Sequence, residues 1–216
     1  MRQGAPDARD WNTLLVLRER RLAGLLNKLR PLGRFRTSGY PRVLLGMVDD
    51  KGHDSAPGNG DRDGNGDRDG NGDRDGNGDR DGNGDRIARV VDFFEQNPEL
   101  AAELQRVVPV EASPLFERDD VTETLCVAMH DKGVELAGRS FHVRAHLRGL
   151  KGRQETTAVE GALGEFLLER AESGGSAATV TFGDPDVVVA VEVAGRRAGY
   201  AFFEREQRAL PLLWKA

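Results

Sequence analysis

Trp11 to Leu17 is a short apolar run with no turn residue inside it, the pattern of a buried strand. Leu22, Leu25, Leu26 and Leu29 then fall at i, i+3, i+4 and i+7, one face of a helix, with Gly33 placed for a left-handed C-terminal cap. Arg34, Phe35 and Arg36 lead into a second strand. Val43 to Val48 belongs to it or to a third beyond a turn at Gly39, Tyr40 and Pro41. The helical rhythm returns at Ile87, Val90, Val91 and Phe94, with Asp85 in a capping position. It breaks at Asn97-Pro98, resumes for a turn or two from Glu99 to Gln105, and gives way to a strand at Val107 to Val110. Residues 11–112 therefore predict strand, helix, one or two strands, helix, strand, which is a split βαβ or ferredoxin-like pattern.

Ser113-Pro114 and Glu117 to Asp120 mark a boundary, and a second unit follows. Its first helix starts at Asp120, with Glu123 in the D-x-x-E capping relation, and runs through Cys126 and Met129 towards Lys132. Gly133 ends or kinks it, and Val134 to Ala137 predicts a second, short helix. Phe141 to Arg148 alternates with a period of two: Phe141, Val143, Ala145 and Leu147 on one face, His142, Arg144, His146 and Arg148 on the other. One face is expected to be buried and the other to be a cationic surface, which Lys151 and Arg153 extend. Thr157 and Glu160 form a T-x-x-E capping box for a helix that turns Val159, Ala162, Leu163, Phe166 and Leu167 inward. Strands at Thr179 to Phe182, Val187 to Val193 and Gly199 to Phe203 complete the unit.

The first unit is interrupted by four identical copies of D-R-D-G-N-G from Asp61 to Gly84. The tract has no apolar residue and cannot form a core. Each copy matches the opening of a calcium loop, but counting from Asp61 the twelfth position, where a bidentate Glu belongs, is Gly72. The expectation is an expanded, disordered loop over residues 52–85 without ordered calcium.

The tract also changes how the net charge of -5 is read. Residues 61–86 hold nine Asp and five Arg, so most of the acidity is local to them. Residues 1–48 carry ten Lys or Arg, among them Arg18, Arg20, Arg21, Arg34 and Arg36, against Asp7, Asp10 and Glu19. Within a Debye length of roughly 10 Å it is this local charge that a phosphate backbone meets. No apolar run approaches the ~20 residues of a membrane span, and no signal-peptide pattern stands at Met1, so a soluble, cytoplasmic protein is expected.

Catalytic chemistry finds little purchase in the sequence. Cys126 is the lone cysteine, which excludes a disulfide framework or cysteine-cluster zinc. Cys126 and His130 stand four apart, but with no third group or oxyanion loop the cysteine reads as a buried helical one and not as a nucleophile. Asp184 and Asp186 flank Pro185 as turn chemistry. There is no G-x-G-x-x-G loop, P-loop or deaminase signature, so neither a cofactor nor an enzymatic activity is expected.

F-H-V-R-A-H-L-R-G from Phe141, the x-E-x-x-L-G helix at Glu160 to Gly164, and P-D-x-x-V-x-V-E-V from Pro185 to Val193 together resemble a THUMP domain. The resemblance implies an α+β protein: a ferredoxin-like domain over 10–112, split by the repeat, then a THUMP domain over 117–206 in the order helix, helix, strand, helix, strand, strand. It implies binding to tRNA, with Arg144, His146, Arg148, Lys151 and Arg153 on the RNA and Arg20, Arg21, Arg34 and Arg36 extending the surface. Phe35 and Tyr40 are candidates for base stacking, although Phe35 is better placed in the core. With about ten residues after Glu206, the chain resembles the stand-alone THUMP adaptors of tRNA cytidine acetyltransferase, whose N-terminus is similar to D-W-N at Asp10 to Asn12. Two alternatives stay open: an RNA-binding subunit of a methyltransferase or thiolation enzyme whose catalytic domain is on another chain, and a calcium-responsive interaction protein.

Overall fold

The computed structural model describes residues 9–19, 24–48, 82–117, 120–150 and 152–213. The first unit runs β1 (Thr13–Leu17), α1 (Leu25–Lys28), β2 (Gly33–Thr37), β3 (Val43–Val48), α2 (Gly82–Gln96), α3 (Pro98–Glu103) and β4 (Leu104–Pro109). Its sheet has the order β2-β3-β1-β4 with every neighbouring pair antiparallel. β1 and β2 therefore run the same way with β3 inserted between them, the defining arrangement of a split βαβ unit. β1 reads as a continuous apolar run because both of its faces are covered. Leu15 and Leu17 meet Leu25, Leu29, Val90 and Phe94 of the helical layer. Leu14 and Val16 face the other way, into a second layer.

That second layer is the other sheet. It is built from β5 (Ser140–Arg148), β6 (Thr179–Val180), β7 (Val187–Ala194) and β8 (Arg197–Glu204), with α4 (Val121–Ala128), α5 (His130–Val134) and α6 (Thr156–Ser173) around it and α7 (Arg205–Ala209) after it. The order is β6-β5-β7-β8, parallel across β6, β5 and β7 and antiparallel between β7 and β8. On one face Phe141, Val143, Val189 and Val191 pack against Leu125, Leu163 and Leu167. On the other, Val188, Ala190, Ala201 and Phe203 pack on Leu14, Val16, Leu45, Val108 and Val110 of the first sheet. The layers are thus helix, sheet, sheet, helix, and every residue of β7 is buried.

The D-W-N segment locks this arrangement. Asn12 imitates a strand residue, its side chain donating to the Val48 carbonyl at 2.7 Å and accepting from the Val48 amide at 2.8 Å. Trp11 is 1% exposed and lies against Gly199, where a Cβ would collide with its ring. The Asp10 carboxylate accepts from Ser113 at 2.7 Å and pairs with Arg197 at 3.3 Å, tying the first strand to β8.

Several local expectations give way to tertiary packing. Gly33 does not cap a helix: it opens β2, where a Cβ would run into the carbonyl of Met47. α2 starts at Gly82, ahead of the anticipated cap at Asp85, because Asn83 and Arg86 are buried there. Arg86 donates to Asn83 and to the carbonyl of Val110, so the last turn of the repeat belongs to the fold. The break between α4 and α5 falls at Met129, not Gly133. Gly133 is buried inside α5, where a Cβ would strike Arg170 of α6. Asp120 makes no side-chain cap, and α6 is led by Glu155 without one. Glu160 instead accepts from the Ala145 amide at 2.8 Å. β6 is two residues long, shorter than the strand foreseen from Thr179 to Phe182.

Candidate nucleic-acid interface

The even-numbered face of β5 was expected to point to water. The sheets stack so that it points towards the first sheet, and its charges are correspondingly organised. The register sets His142 beside Val188, Arg144 beside Ala190, His146 beside Glu192 and Arg148 beside Ala194. Glu192 is fully buried, the single acid in the run V-V-V-A-V-E-V-A. A carboxylate there requires cations, and it has two. Arg106 of β4 pairs with it at 2.7 Å from the first sheet, and Arg148 pairs with its other oxygen from β5.

One carboxylate between two guanidinium groups leaves a net positive cluster. Burial lowers Arg106 from its ordinary value, with Glu192 opposing, but a guanidinium stays charged. His146 lies 4.0 Å from Glu192, and its pKa is lowered, first by burial and then by Arg106, Arg148 and Arg144. It is a neutral imidazole at pH 7. The pKa of His142 is lowered too, by burial and then by Arg144. Arg148 is thus a fixed positive charge anchored by Glu192, and Arg144 is half-buried on the same face.

The carboxyl end of β5 also meets the turn between β2 and β3. Gly149 has φ +90°, a conformation open to glycine, and a Cβ there would collide with the Tyr40 hydroxyl. Tyr40 is half-buried against the layer between the sheets, which makes it a strut between the two units. Beyond it Arg42 is exposed and donates to the Arg18 carbonyl at 3.4 Å, and Arg18 itself is exposed at the end of β1. Arg153 is exposed in the loop after β5. The Tyr40–Gly149 contact thus brings Arg42 and Arg18 of the first unit towards the end of β5 that carries Arg148, and this rim is flanked in the chain by Arg144 and Arg153.

Arg34 and Arg36 are on β2, at the opposite edge of the sheet from Arg106. Arg34 is exposed, whereas Arg36 donates to the carbonyls of Arg9 at 2.7 Å and Asp10 at 3.3 Å. Arg20, Arg21 and Lys151 lie outside the described residues, as do residues 49–81, which hold most of the repeat. Phe35 packs over Gly46 in the core. Sequence reasoning missed Arg106 and Glu192. The signal for them was a lone acid in a β-branched strand, which demands a buried cation from elsewhere.

Cys126 is half-buried with its thiol pKa raised by burial, and His130 faces Asp131 at 2.9 Å on the surface. Asp186 accepts from the Ser140 amide and hydroxyl at 2.9 and 2.7 Å, closing the turn before β7. Among the described residues no group of His, Cys, Asp or Glu is placed to hold a metal, and no helix is long and apolar enough to cross a membrane. What the rim offers is fixed guanidinium groups in a fork geometry suited to phosphate oxygens.

No protein-family model matches the chain, and no curated protein matches it. Solved structures do. PH1313 from Pyrococcus horikoshii Ot3 is 11% identical, over 89% of this chain and 54% of that one, with a TM-score of 0.46. A 4-thiouridine synthetase in complex with RNA and bound ATP is 12% identical, over 88% and 40%, with a TM-score of 0.47. TrmN from Thermus thermophilus is 17% identical, over 90% and 45%, with a TM-score of 0.48. The chain spans about half the length of these structures.

Proposed function

We propose that this protein is a non-catalytic tRNA-binding adaptor of THUMP type, holding tRNA for a separate modifying enzyme, for which a tRNA cytidine acetyltransferase is our candidate. The observation that carries it is the shared rim: Arg106 of the first sheet and Arg148 of the second are set side by side on Glu192, and the Tyr40–Gly149 contact joins the same two units. A surface of this kind reads helical RNA through its phosphates and shape, with little base readout. The split βαβ topology of the first unit and the basic strand, helix and P-D-x-x-V-x-V-E-V series of the second are what the ferredoxin-like and THUMP pair would present.

Filter binding of tRNA across a salt series tests the reading. Affinity falls steeply with salt, and Arg144→Glu and Arg153→Glu each flatten the slope by about 0.7 to 0.9 log units per decade while weakening binding about tenfold. A slope that neither substitution changes removes the rim from the interface. The adaptor role is tested by reconstitution: acetylcytidine forms on tRNA when the chain and the acetyltransferase are mixed and not with the enzyme alone. Equal product in both reactions rejects that role.

A further inference from the structure

β5 has a strand on both edges only at its start. β6 covers Ser140 and Phe141, the Thr181 amide donates to the Phe141 carbonyl at 3.0 Å, and among the described residues no strand follows along the rest of that edge. The Phe141 carbonyl and the Ala145 amide both point to it, as the alternation of a strand requires. Glu160 fills the place of a missing strand's carbonyl on the Ala145 amide. An open strand edge of this kind is a template for main-chain pairing.

Beside the edge, between it and α6, runs a groove of about 320 Å³. Thr157, Gly161, Gly164 and Leu168 of α6 lie along it, one stripe of the helix. A Cβ at Gly161 or Gly164 would meet no atom within 4 Å, so these two residues keep the groove open at a cost to helix stability. Val180 and Phe182 form the outer lip and are 43% and 77% exposed. His142 also lines the groove and is 5% exposed, yet neither ring nitrogen has a hydrogen-bond partner. Its ring meets Phe182 edge-on, with centroids 4.7 Å apart. A buried imidazole without partners is costly unless something else supplies them. Glu160 and Glu165 line the groove and, among the described residues, neither lysine nor arginine does, which disfavours phosphates and favours a basic side chain.

We propose that residues 142–148 of β5 form a docking edge for an extended peptide segment of a partner protein, added as a strand with an apolar side chain in the groove and a basic one against Glu160 and Glu165. The peptide's carbonyl replaces Glu160 on the Ala145 amide and frees that carboxylate for the incoming cation. The mode is strand addition, in which the main chain supplies affinity and the groove supplies specificity. It rests on the adaptor reading for its biological sense, since an adaptor must hold its enzyme, and it places that contact on the main-chain edge of the same strand whose side chains Arg144 and Arg148 belong to the rim.

The test uses the full chain, isotopically labelled for NMR, and a capped Val-Lys-Val-Thr-Val-Lys-Val peptide. Two control peptides carry proline at the centre or glutamate for lysine, and a uridine tetranucleotide is the RNA control. The expected result is saturable shifts of the Val143, Ala145, Leu147, Gly161 and Gly164 amides, with both control peptides about tenfold weaker or worse. Gly161→Leu, whose side chain enters open space, abolishes the shifts without lowering the melting temperature and leaves tRNA affinity unchanged. No shifts at these amides, or shifts that survive Gly161→Leu, overturn the proposal. Shifts from the tetranucleotide but not from the peptide overturn it in favour of an RNA site. If wild-type tRNA binding fails while the peptide shifts stand, the adaptor reading falls and the docking edge remains.

Discussion

β5 supplies both the basic rim and the groove, and it does so with opposite economies of charge. At the rim the cations are held by partners: Arg148 and Arg106 share Glu192, and Gly149 seats Tyr40. At the groove, groups are left without them: among the described residues His142 has no hydrogen-bond partner and no strand pairs with the β6-side edge of β5 beyond Phe141. The difference teaches where specificity sits. A preorganised cationic surface recognises a repeating backbone of phosphates, whereas an open edge with an unsatisfied imidazole selects for the particular chain that completes it.

Removing Glu192 breaks the rim with the largest expected effect. Glu192→Gln leaves Arg106 and Arg148 facing each other in the layer between the sheets, and losing one side of a buried ion pair costs about 3–5 kcal/mol. Urea denaturation followed by tryptophan fluorescence reads it, since Trp11 lies in the same layer. A loss under about 1 kcal/mol would show that water reaches the cluster and that it is no anchor.

The sequence already carried the order of elements, since the periods of two and 3.6 are local properties. β1 after Thr13, β3, and β7 but for Glu192 are apolar runs and lie at the centre of the packing, and the Asn97-Pro98 break separates α2 from α3 as its backbone restriction demands. Helix ends were less legible, because packing set them: Glu160 is drawn off its capping role by a bare amide on β5, and Asn83 and Arg86 pull three residues of the repeat into α2. The rim was half legible. Alternation in β5 placed Arg144, His146 and Arg148 on one face, but no local pattern says that the face looks at another sheet, and Arg106 meets Glu192 from 86 residues away in sequence. The groove had no readable signal, because the edge of a strand is defined by what fails to pair with it.

Gly149→Ala strikes the strut and leaves the groove alone. The substitution combines a left-handed φ with a collision against the Tyr40 hydroxyl, and strain of this type costs about 1–3 kcal/mol. Adding Tyr40→Phe relieves the collision but not the backbone strain, so the double variant recovers part of the loss in thermal denaturation. Full recovery would assign the whole effect to the collision, and none would assign it to φ. Either variant weakens tRNA binding in proportion to how far it parts the turn from β5, while the amides of Gly161 and Gly164 keep their chemical shifts.

The smallest effect separates the two regions by pH. The pKa values of His142 and His146 are both lowered, first by burial, so the folded protein resists protons that the unfolded chain accepts near pH 6.5. The sign follows. Above about pH 6.5 both states hold neutral imidazoles and the stability is complete; as pH falls below it, proton uptake favours the unfolded chain and stability declines. His146 faces Glu192, which opposes the shift, and Arg106, Arg148 and Arg144, which reinforce it; His142 faces Arg144 and, opposing it, Glu160. His146→Gln and His142→Gln each flatten part of the stability profile between about pH 5 and 7, measured by urea midpoints. Strand addition at the groove gives the ring of His142 a partner and leaves that of His146 untouched. The docking peptide therefore changes the slope contributed by His142, and a peptide that changes both slopes equally is not confined to the groove.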